Sequence, residues 1–274
     1  MDVKKTVAFL APYVNKQHPR IAVVLGTGLA RFGDSISIKD RIPYQSIPGF
    51  VASTVPSHSG EFIFGTIYSI PIIALSGRFH YYEGYNMQQV TFPIRVLGEL
   101  GVSTLLLSNA AGSVNPSYSA GDIISIRDHI NLFPENPLRG TNNSKWGVRF
   151  PDMMFTYSQR LYSIVKSIAQ KNNLNVQQGV YVGTQGPNLE TPAEYAFFNT
   201  IGGDLVGMST IPEVIVAKHM NMEVLALSVV SNVCFPIDKL TETTMEEVIQ
   251  VVQSAEPKLS IIFVELIQEI GHDR

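Results

Sequence analysis

Short apolar runs that each end in a turn of Gly, Asn or Ser recur along the chain, and segments with apolar residues at helical spacing lie between them. The runs predict buried strands at 21–25, 62–68, 72–75, 104–107, 123–126, 180–182, 205–206 and 224–230. The spacing predicts helices at 87–100, 161–169, 212–220 and from 243 onward. Strands that alternate with helices are typical of an α/β fold with a central, mostly parallel, twisted mixed sheet flanked by helices.

Capping residues and prolines refine three of the helices. Thr191-Pro192-Ala193-Glu194 has an N-cap, a proline at the first helical position and a capping-box acid, so it predicts the start of a further helix. Thr243 with Glu246 predicts the same cap for the final helix. Pro93 and Pro257 predict a kink or break, because proline has no backbone N–H to donate.

Composition limits the class of protein. The chain has 274 residues and is 45% hydrophobic, which excludes a disordered chain, and no linker divides it, so we expect a single domain over 1–274. Only 16% of the residues are charged, against about 25% in a typical protein, which hints at surface buried between copies. Twenty basic and 23 acidic residues give a charge of −3, which argues against nucleic acid as a partner.

The sequence shows no sign of a membrane span, a disulfide framework or a local metal site. No uncharged apolar stretch of about 18 residues occurs, so no membrane association is expected. The start of the chain faintly resembles a signal peptide, but Lys16 and Arg20 follow instead of a cleavage site, and we expect a cytoplasmic protein. Cys234 is the only cysteine, and no two histidines lie within five residues of each other, so no metal is predicted.

Polar residues follow the predicted strands, at positions where the packing of an apolar core does not explain them. In α/β sheets ligands bind at the carboxyl ends of the strands, so these residues predict one shared site. They are Thr27, Arg78, His80, Asn109, Ser209 and Asn232.

Several of these residues suit an anion. Gly26-Thr27-Gly28 offers backbone N–H groups and a hydroxyl, although an empty tight turn explains it equally well. It is also the sole basis for a dinucleotide-binding oxidoreductase, because Arg31 stands where that fingerprint needs glycine. Arg78 suits bidentate contact with phosphate, and His80 points the same way if the segment is extended; a surface ion pair and a structural histidine are the alternatives.

The residue types alone leave the roles of an acidic residue and two amides undecided. Glu190 precedes the helix capped at Thr191, where a carboxylate is favourable for electrostatic reasons alone. Asn109 and Asn232 each follow an apolar run, and a buried amide there either contacts a ligand or holds a neighbouring loop. His58 lies in a polar loop, and we expect it to donate to phosphate only if the other polar residues form one anion site.

Twelve motifs of the chain resemble those of a known family, the trimeric purine nucleoside phosphorylases. The similarity extends from about residue 21 to 250, and its two most specific stretches are GRFHYYEGY at 77–85 and VGMSTIPEVIVAKH at 206–219. The others are GTGL at 26–29, TVPSHSG at 54–60, TFPIRVLGELG at 91–101, NAAG at 109–112, GDI at 121–123, RDHIN at 127–131, NPLRG at 136–140, RFPDM at 149–153, GPNLET at 186–191 and SVVSN at 228–232.

The resemblance implies reversible phosphorolysis of a purine nucleoside to free base and (deoxy)ribose 1-phosphate, in purine salvage, by a homotrimer with sites near the subunit boundaries. It implies no cofactor, since inorganic phosphate is a co-substrate. The implied phosphate contacts are Thr27, His58, Arg78, His80, the Ala110 backbone and Ser209. The implied nucleoside contacts are Tyr82 and Met208 on the ribose, Phe150 from a neighbouring subunit, and Glu190 and Asn232 on the base. Asn232, His80 and Glu190 are the implied catalytic residues.

The residue types indicate which bases are accepted. A 6-oxopurine presents N1–H to the Glu190 carboxylate, whereas adenine presents a bare acceptor, so we expect inosine and guanosine to be preferred. A methylthioadenosine-type phosphorylase of the same fold is the alternative, although that family lacks this Glu and has Asp at position 232. A nucleoside-binding protein without catalysis is the non-enzyme alternative.

The chain departs from the family pattern at four places. Thr27 replaces a commoner Ser, Leu189 stands where an aromatic residue often packs on the base, and Ser231 replaces Thr. Met245 stands where many members have a His that contacts the ribose 5′-hydroxyl. Relaxed discrimination against 5′-deoxy nucleosides is therefore expected.

Overall fold

The computed structural model describes residues 1–14, 17–26, 31–52, 54 and 59–272, and this part of the chain forms nine strands and six α-helices. The strands are β1 (Ile21–Leu25), β2 (Ser37–Pro43), β3 (Glu61–Ile67), β4 (Ile70–Ser76), β5 (Thr104–Ser113), β6 (Ile123–Asn131), β7 (Val176–Gly183), β8 (Leu205–Gly207) and β9 (Glu223–Val233). The helices are α1 (Val3–Val14), α2 (Met87–Glu99), α3 (Gln159–Lys171), α4 (Pro192–Thr200), α5 (Ile211–His219) and α6 (Met245–Ile270).

These strands form one mixed sheet in the order β2-β3-β4-β1-β5-β8-β7-β6-β9, which confirms the predicted α/β class. Strand β1 is parallel to both β4 and β5, and β5 is parallel to β9. Because β9 pairs with β5 as well as with β6, the second half of the sheet closes on itself, a feature that the hydrophobic pattern did not indicate.

Alternate residues of the central strands are buried on opposite faces of the sheet. In β1, Ala22 and Val24 belong to a core shared with α1, α2 and α5, whereas Ile21, Val23 and Leu25 belong to a core shared with α3 and α6. Strands covered by helices on both faces are apolar throughout, and this is why the pattern found them.

Two elements of the structure had no counterpart in the sequence prediction. Helix α1 buries Thr6, Leu10 and Val14, one residue per turn, so its apolar stripe was too narrow to stand out. Strand β2 lies at the edge of the sheet and buries only Ile42, and a strand of this kind has no apolar run. The turn between β3 and β4 is Tyr68–Ser69, and both of its residues have positive φ.

The capping and proline predictions had mixed outcomes. Thr191 caps α4 as predicted, and its hydroxyl accepts from the Glu194 backbone. The cap of α6 is Thr244 with Glu247, one residue later than predicted. Helix α2 continues through Pro93, and α6 continues through Pro257, because the packing of each helix outweighs one missing hydrogen bond.

Among the described residues no helix has the length and apolarity to span a membrane.

Candidate active site

One cavity of about 170 Å³ gathers most of the residues that the sequence analysis singled out. Its walls include residues within or just after β4, β5, β8 and β9. This is the edge of the sheet at which the sequence analysis predicted a ligand site. Its walls include, from the predicted set, Arg78, His80, Tyr82, Asn109, Ala110, Glu190, Met208, Ser209 and Asn232.

Three predicted residues are not part of this cavity as described. Thr27 and His58 lie outside the described residues. Phe150 lies in another hollow, beside His129 and Ile215, and 85% of its surface is exposed. Within its own chain, therefore, Phe150 does not reach the sugar position.

Arg78 follows β4 and connects three separate segments of the chain. Its Nη1 donates to Ser209 Oγ at 2.9 Å and to Thr210 Oγ1 at 3.2 Å, and its Nη2 donates to the Ser108 carbonyl at 2.8 Å. The residue is only 4% exposed, so the surface ion pair considered from the sequence is wrong. The guanidinium is held in place before any ligand arrives.

Glu213 balances the charge of Arg78, and the sequence analysis did not single it out. Its Oε1 lies 3.5 Å from Arg78 Nε, and its Oε2 accepts from the Thr210 backbone N–H at 3.0 Å. Burial raises the pKa of Glu213, and the charge of Arg78 offsets part of this rise. Thr210-x-x-Glu213 is itself a capping-box pattern, and this was the available signal.

Thr210 is held in an unusual backbone conformation beside the cavity. Its φ of 70° is rare for a β-branched residue, and such conformations persist only where the surroundings stabilise them. Asn109 Nδ2 donates to Thr210 Oγ1 at 2.9 Å, and Asn109 Oδ1 accepts from Ser228 Oγ. Asn109 is therefore an interior residue of β5, not a strand end, and it holds the neighbouring loop.

His80 is paired with Glu83 at the same end of the cavity. His80 Nδ1 lies 2.9 Å from Glu83 Oε1, and a carboxylate only accepts, so Nδ1 carries a proton. Burial alone would raise the pKa of Glu83, but hydrogen bonds from His80 and Thr54 lower it to about 2. The ionised Glu83 thereby fixes the orientation of the His80 ring in the cavity wall.

Tyr82 does not continue an extended face with Arg78 and His80. It lies in a short 3-10 helix, Tyr81–Glu83, and its ring stacks on the His80 ring at 4.7 Å. The stacking still places Tyr82 in the cavity wall. Burial raises the pKa of Tyr82 to about 12, so its hydroxyl stays protonated at neutral pH.

A second group of residues in the cavity wall supplies a carboxylate, Glu190, and an amide, Asn232. Glu190 is half-buried and accepts from Thr184 Oγ1 at 3.1 Å; burial raises its pKa, and hydrogen bonds from Thr184 and Tyr195 offset part of the rise. Asn232 lies within β9, and its Nδ2 donates to Thr243 Oγ1 at 3.2 Å and to Cys234 Sγ at 3.1 Å.

The cavity wall also includes residues to which no role was assigned from the sequence. Tyr195, Thr243 and Val248 line it, and Leu189 and Met245 lie where the family comparison noted departures. Gly26 also lines it, and a larger residue does not fit there, because a Cβ at this position would lie 2.5 Å from the Ser108 carbonyl oxygen. In the described part of the chain no group of three or more His, Cys, Asp or Glu residues is arranged for a metal ion.

Comparisons with known proteins identify the family of the chain. The model of the phosphorylase superfamily matches residues 20–268. Purine nucleoside phosphorylase 1 of Geobacillus stearothermophilus is 48% identical over 233 residues, which cover 82% of this chain and 85% of that protein. Purine nucleoside phosphorylase of Bos taurus is 41% identical and aligns over 94% of this chain and 91% of its own.

The fold comparison gives the same family. A crystal structure of a Schistosoma purine nucleoside phosphorylase in complex with hypoxanthine matches with a TM-score of 0.89 at 37% identity, over 98% of this chain and 96% of that chain. The family model and these relatives show a phosphorylase, not the dinucleotide-binding oxidoreductase considered from the sequence. The chain therefore belongs to the phosphorylase superfamily, as an enzyme of its purine nucleoside phosphorylase group, and its reaction is the phosphorolysis of purine nucleosides.

Proposed function

We propose that the chain catalyses reversible phosphorolysis of 6-oxopurine nucleosides, namely inosine, guanosine and their 2′-deoxy forms, in purine salvage. The observation that carries this proposal is the polarity of one cavity. Arg78 and Ser209 supply a cationic, hydroxyl-bearing part of its wall, and Glu190 and Asn232 supply a part with a carboxylate and an amide. We assign phosphate to the first part and the purine to the second, and call them the two ends of the cavity.

Phosphate binds at the Arg78 end in this proposal. Arg78, His80 and the Ser209 hydroxyl supply cationic and neutral donors, and the Ala110 backbone lies in the same wall. Thr27 and His58 are proposed as further phosphate contacts on the family resemblance. Donors fixed before binding stabilise an anion without reorganising, which is the property that such a site needs.

The reaction separates charge between the two ends. Breaking the N-glycosidic bond leaves positive charge on the ribose, which phosphate stabilises and then captures at C1′. Negative charge develops on the departing base, and Asn232 donates to purine N7. Asn232 Nδ2 donates to Thr243 Oγ1, so we propose that purine N7 replaces the Thr243 hydroxyl as acceptor.

Glu190 selects the base by hydrogen-bond matching. Its carboxylate accepts from N1–H of a 6-oxopurine and from the 2-amino group of guanine, whereas the bare N1 of adenine repels it. Related Schistosoma enzymes have been crystallised with guanosine and with adenosine, so occupancy of the site and turnover must be measured separately.

The ribose lies between Tyr82 and Met208, and we propose that Phe150 reaches it from a neighbouring copy in a homotrimer. Phe150, Met154 and Phe155 are 85%, 77% and 75% exposed, which is an unusual group of apolar side chains for an uncovered surface. The low charge content supports association as well. Sedimentation velocity tests the oligomeric state, and a monomer at catalytic concentrations would contradict the trimer.

We further propose that the enzyme needs no cofactor beyond phosphate as co-substrate and acts in the cytoplasm. The deciding experiment is a nucleoside panel, with and without phosphate, in which free base is measured. Inosine and guanosine should release base only with phosphate, and adenosine should react slowly. Release without phosphate indicates a hydrolase, and equal rates on adenosine contradict the role of Glu190. Preference for methylthioadenosine indicates the alternative phosphorylase class.

A further inference from the structure

The Thr210 hydroxyl is buried beside the cavity and contacts three other polar groups. Arg78 Nη1 donates to Thr210 Oγ1 at 3.2 Å, and Asn109 Nδ2 donates to the same oxygen at 2.9 Å. Ser209 Oγ lies 3.1 Å from Thr210 Oγ1, where either oxygen can be the donor. Thr210 is fully buried, so water does not compete for these hydrogen bonds.

Donor and acceptor rules give the third contact a direction. A hydroxyl has two acceptor positions and one proton. A guanidinium N–H and an amide N–H can only donate, so Arg78 and Asn109 occupy both acceptor positions of the Thr210 oxygen. The proton of Thr210 is therefore donated to Ser209 Oγ, the third neighbour.

This direction depends on the orientation of the Asn109 amide, which Ser228 fixes. Ser228 is fully buried, and its hydroxyl donates to Asn109 Oδ1 at 2.5 Å. In the described part of the chain the Ser228 hydroxyl has no second hydrogen-bond partner, so a reversed amide would leave its buried proton without an acceptor. The amide N–H consequently faces Thr210.

The Ser209 hydroxyl receives two hydrogen bonds in this arrangement. Arg78 Nη1 donates to Ser209 Oγ at 2.9 Å, and together with the Thr210 proton this bond occupies both acceptor positions of the Ser209 oxygen. The proton of Ser209 is therefore directed away from Arg78 and Thr210 and is left to donate. Ser209 lines the cavity, and the Tyr181 hydroxyl accepts from its backbone N–H at 3.4 Å, so its backbone is held as well.

We propose that Thr210 and Asn109 are positioning residues that turn the Ser209 hydroxyl toward the cavity as a donor to phosphate. The proposal rests on the proposed function, in which Ser209 contacts phosphate. Neither Thr210 nor Asn109 is among the phosphate contacts that the family resemblance implies, and both act through Ser209. A donor that is oriented before the anion arrives needs no reorganisation when the anion binds.

A double-mutant cycle of Thr210→Val and Ser209→Ala tests the proposal, with the KM for phosphate measured at saturating inosine. Valine keeps the shape of threonine and removes its hydroxyl. Each single substitution should raise the KM for phosphate about tenfold, the equivalent of one hydrogen bond to a charged group. The double variant should be no worse than Ser209→Ala, because the Thr210 hydroxyl acts through Ser209. Additive losses would overturn the proposal.

Two further variants decide the question if Thr210→Val does not fold. Thr210→Ser keeps the hydroxyl and should retain most of the affinity for phosphate. Ser228→Ala removes the group that fixes the Asn109 amide, so it should raise the KM for phosphate and leave the KM for inosine unchanged. An unchanged KM for phosphate in Ser228→Ala, or equal rises in both KM values, would contradict the positioning role.

Thr91→Val is the matched control. Thr91 is 2% exposed, and its hydroxyl donates to the Met87 carbonyl within α2, outside the walls of the cavity. This substitution also removes a buried threonine hydroxyl, and it should leave the KM for phosphate unchanged. A rise as large as that of Thr210→Val would show that the KM responds to general destabilisation, and the proposal would fall.

Ser209→Ala on its own distinguishes failure of the positioning role from failure of the proposed function. If it raises the KM for phosphate while Thr210→Val and Ser228→Ala match the wild type, the positioning role is wrong and the phosphate site stands. If Ser209→Ala leaves the KM for phosphate unchanged, Ser209 does not contact phosphate, and the proposed phosphate end of the cavity fails together with the positioning role.

Discussion

Arg78 Nε lies 3.5 Å from the Glu213 carboxylate, both side chains are almost completely buried, and Arg78 lines the cavity. The two residues are 135 positions apart, on the segment after β4 and on α5. Glu213 also accepts from the Thr210 backbone, so one carboxylate holds both the guanidinium and the loop that contacts it. The cationic end of the site is therefore built as one unit.

Glu213→Gln should destabilise the fold and weaken phosphate binding. Removing one partner of a buried ion pair leaves an uncompensated charge, and we expect the free energy of unfolding to fall by about 3 kcal/mol. Urea denaturation measures this, and steady-state kinetics should show a higher KM for phosphate. Glu265→Gln is the control, because its pair with Lys171 is on the surface and should contribute less than about 1 kcal/mol. Equal effects of the two substitutions would contradict the pairing.

Arg78→Lys should impair phosphate use with little effect on base binding. Lysine keeps the charge but cannot reproduce the contacts with Ser209, Thr210 and Ser108. We expect kcat/KM for phosphate to fall about 10- to 100-fold. Arg41→Lys, at an exposed ion pair with Glu61, serves as the control. A matching loss in hypoxanthine affinity would show that Arg78 does not act at the phosphate alone.

Asn232→Ala should act on the chemical step. A donor directed at charge that develops in the transition state contributes about 100- to 1,000-fold to kcat. Single-turnover kinetics with inosine measures the loss, and Asn172→Ala, at a surface amide on the C-cap of α3, should have none. A wild-type protein that binds nucleoside without turnover would instead support the non-enzyme alternative.

Met245→His should increase the dependence on the ribose 5′-hydroxyl. Met245 lines the cavity, is 66% exposed, and offers no hydrogen bond to that hydroxyl. The wild type should therefore cleave 5′-deoxyinosine nearly as well as inosine, and the variant should favour inosine. The ratio of the two kcat/KM values is the measurement, and a steep wild-type preference for inosine would refute the expectation.

Glu83 should make a pH-dependent contribution to stability. Its pKa is about 2 in the folded state against 4.5 as a free group, so its contribution is complete above pH 4.5 and decreases as the pH falls toward 2. Glu83→Gln should flatten the dependence of the unfolding free energy on pH between 5 and 3. Denaturant titrations at several pH values test this, and an unaltered slope would show that the Glu83 hydrogen bonds are not formed in solution.

The residues of the cavity were predictable because local signals mark them. Apolar runs show where buried strands lie, and polar residues after such runs mark the edge at which ligands bind. Arg78, His80 and Ser209 were found in this way. Asn109 was misplaced at a strand end, because the alanines and glycine that follow it carry no strand signal although β5 continues to Ser113.

The amino-acid sequence by itself determined the α/β class, the strands of the central sheet and the identity of most polar groups around the cavity. Tertiary structure alone decided which groups meet, for example Glu213 with Arg78 and Asn109 with Thr210. It also decided that β9 returns to β5 and closes the second half of the sheet. The physical reason is the distance along the chain over which each signal acts. Periodicity and capping act over a few residues, whereas a buried polar group pairs with a distant segment that the packing of the chain brings beside it.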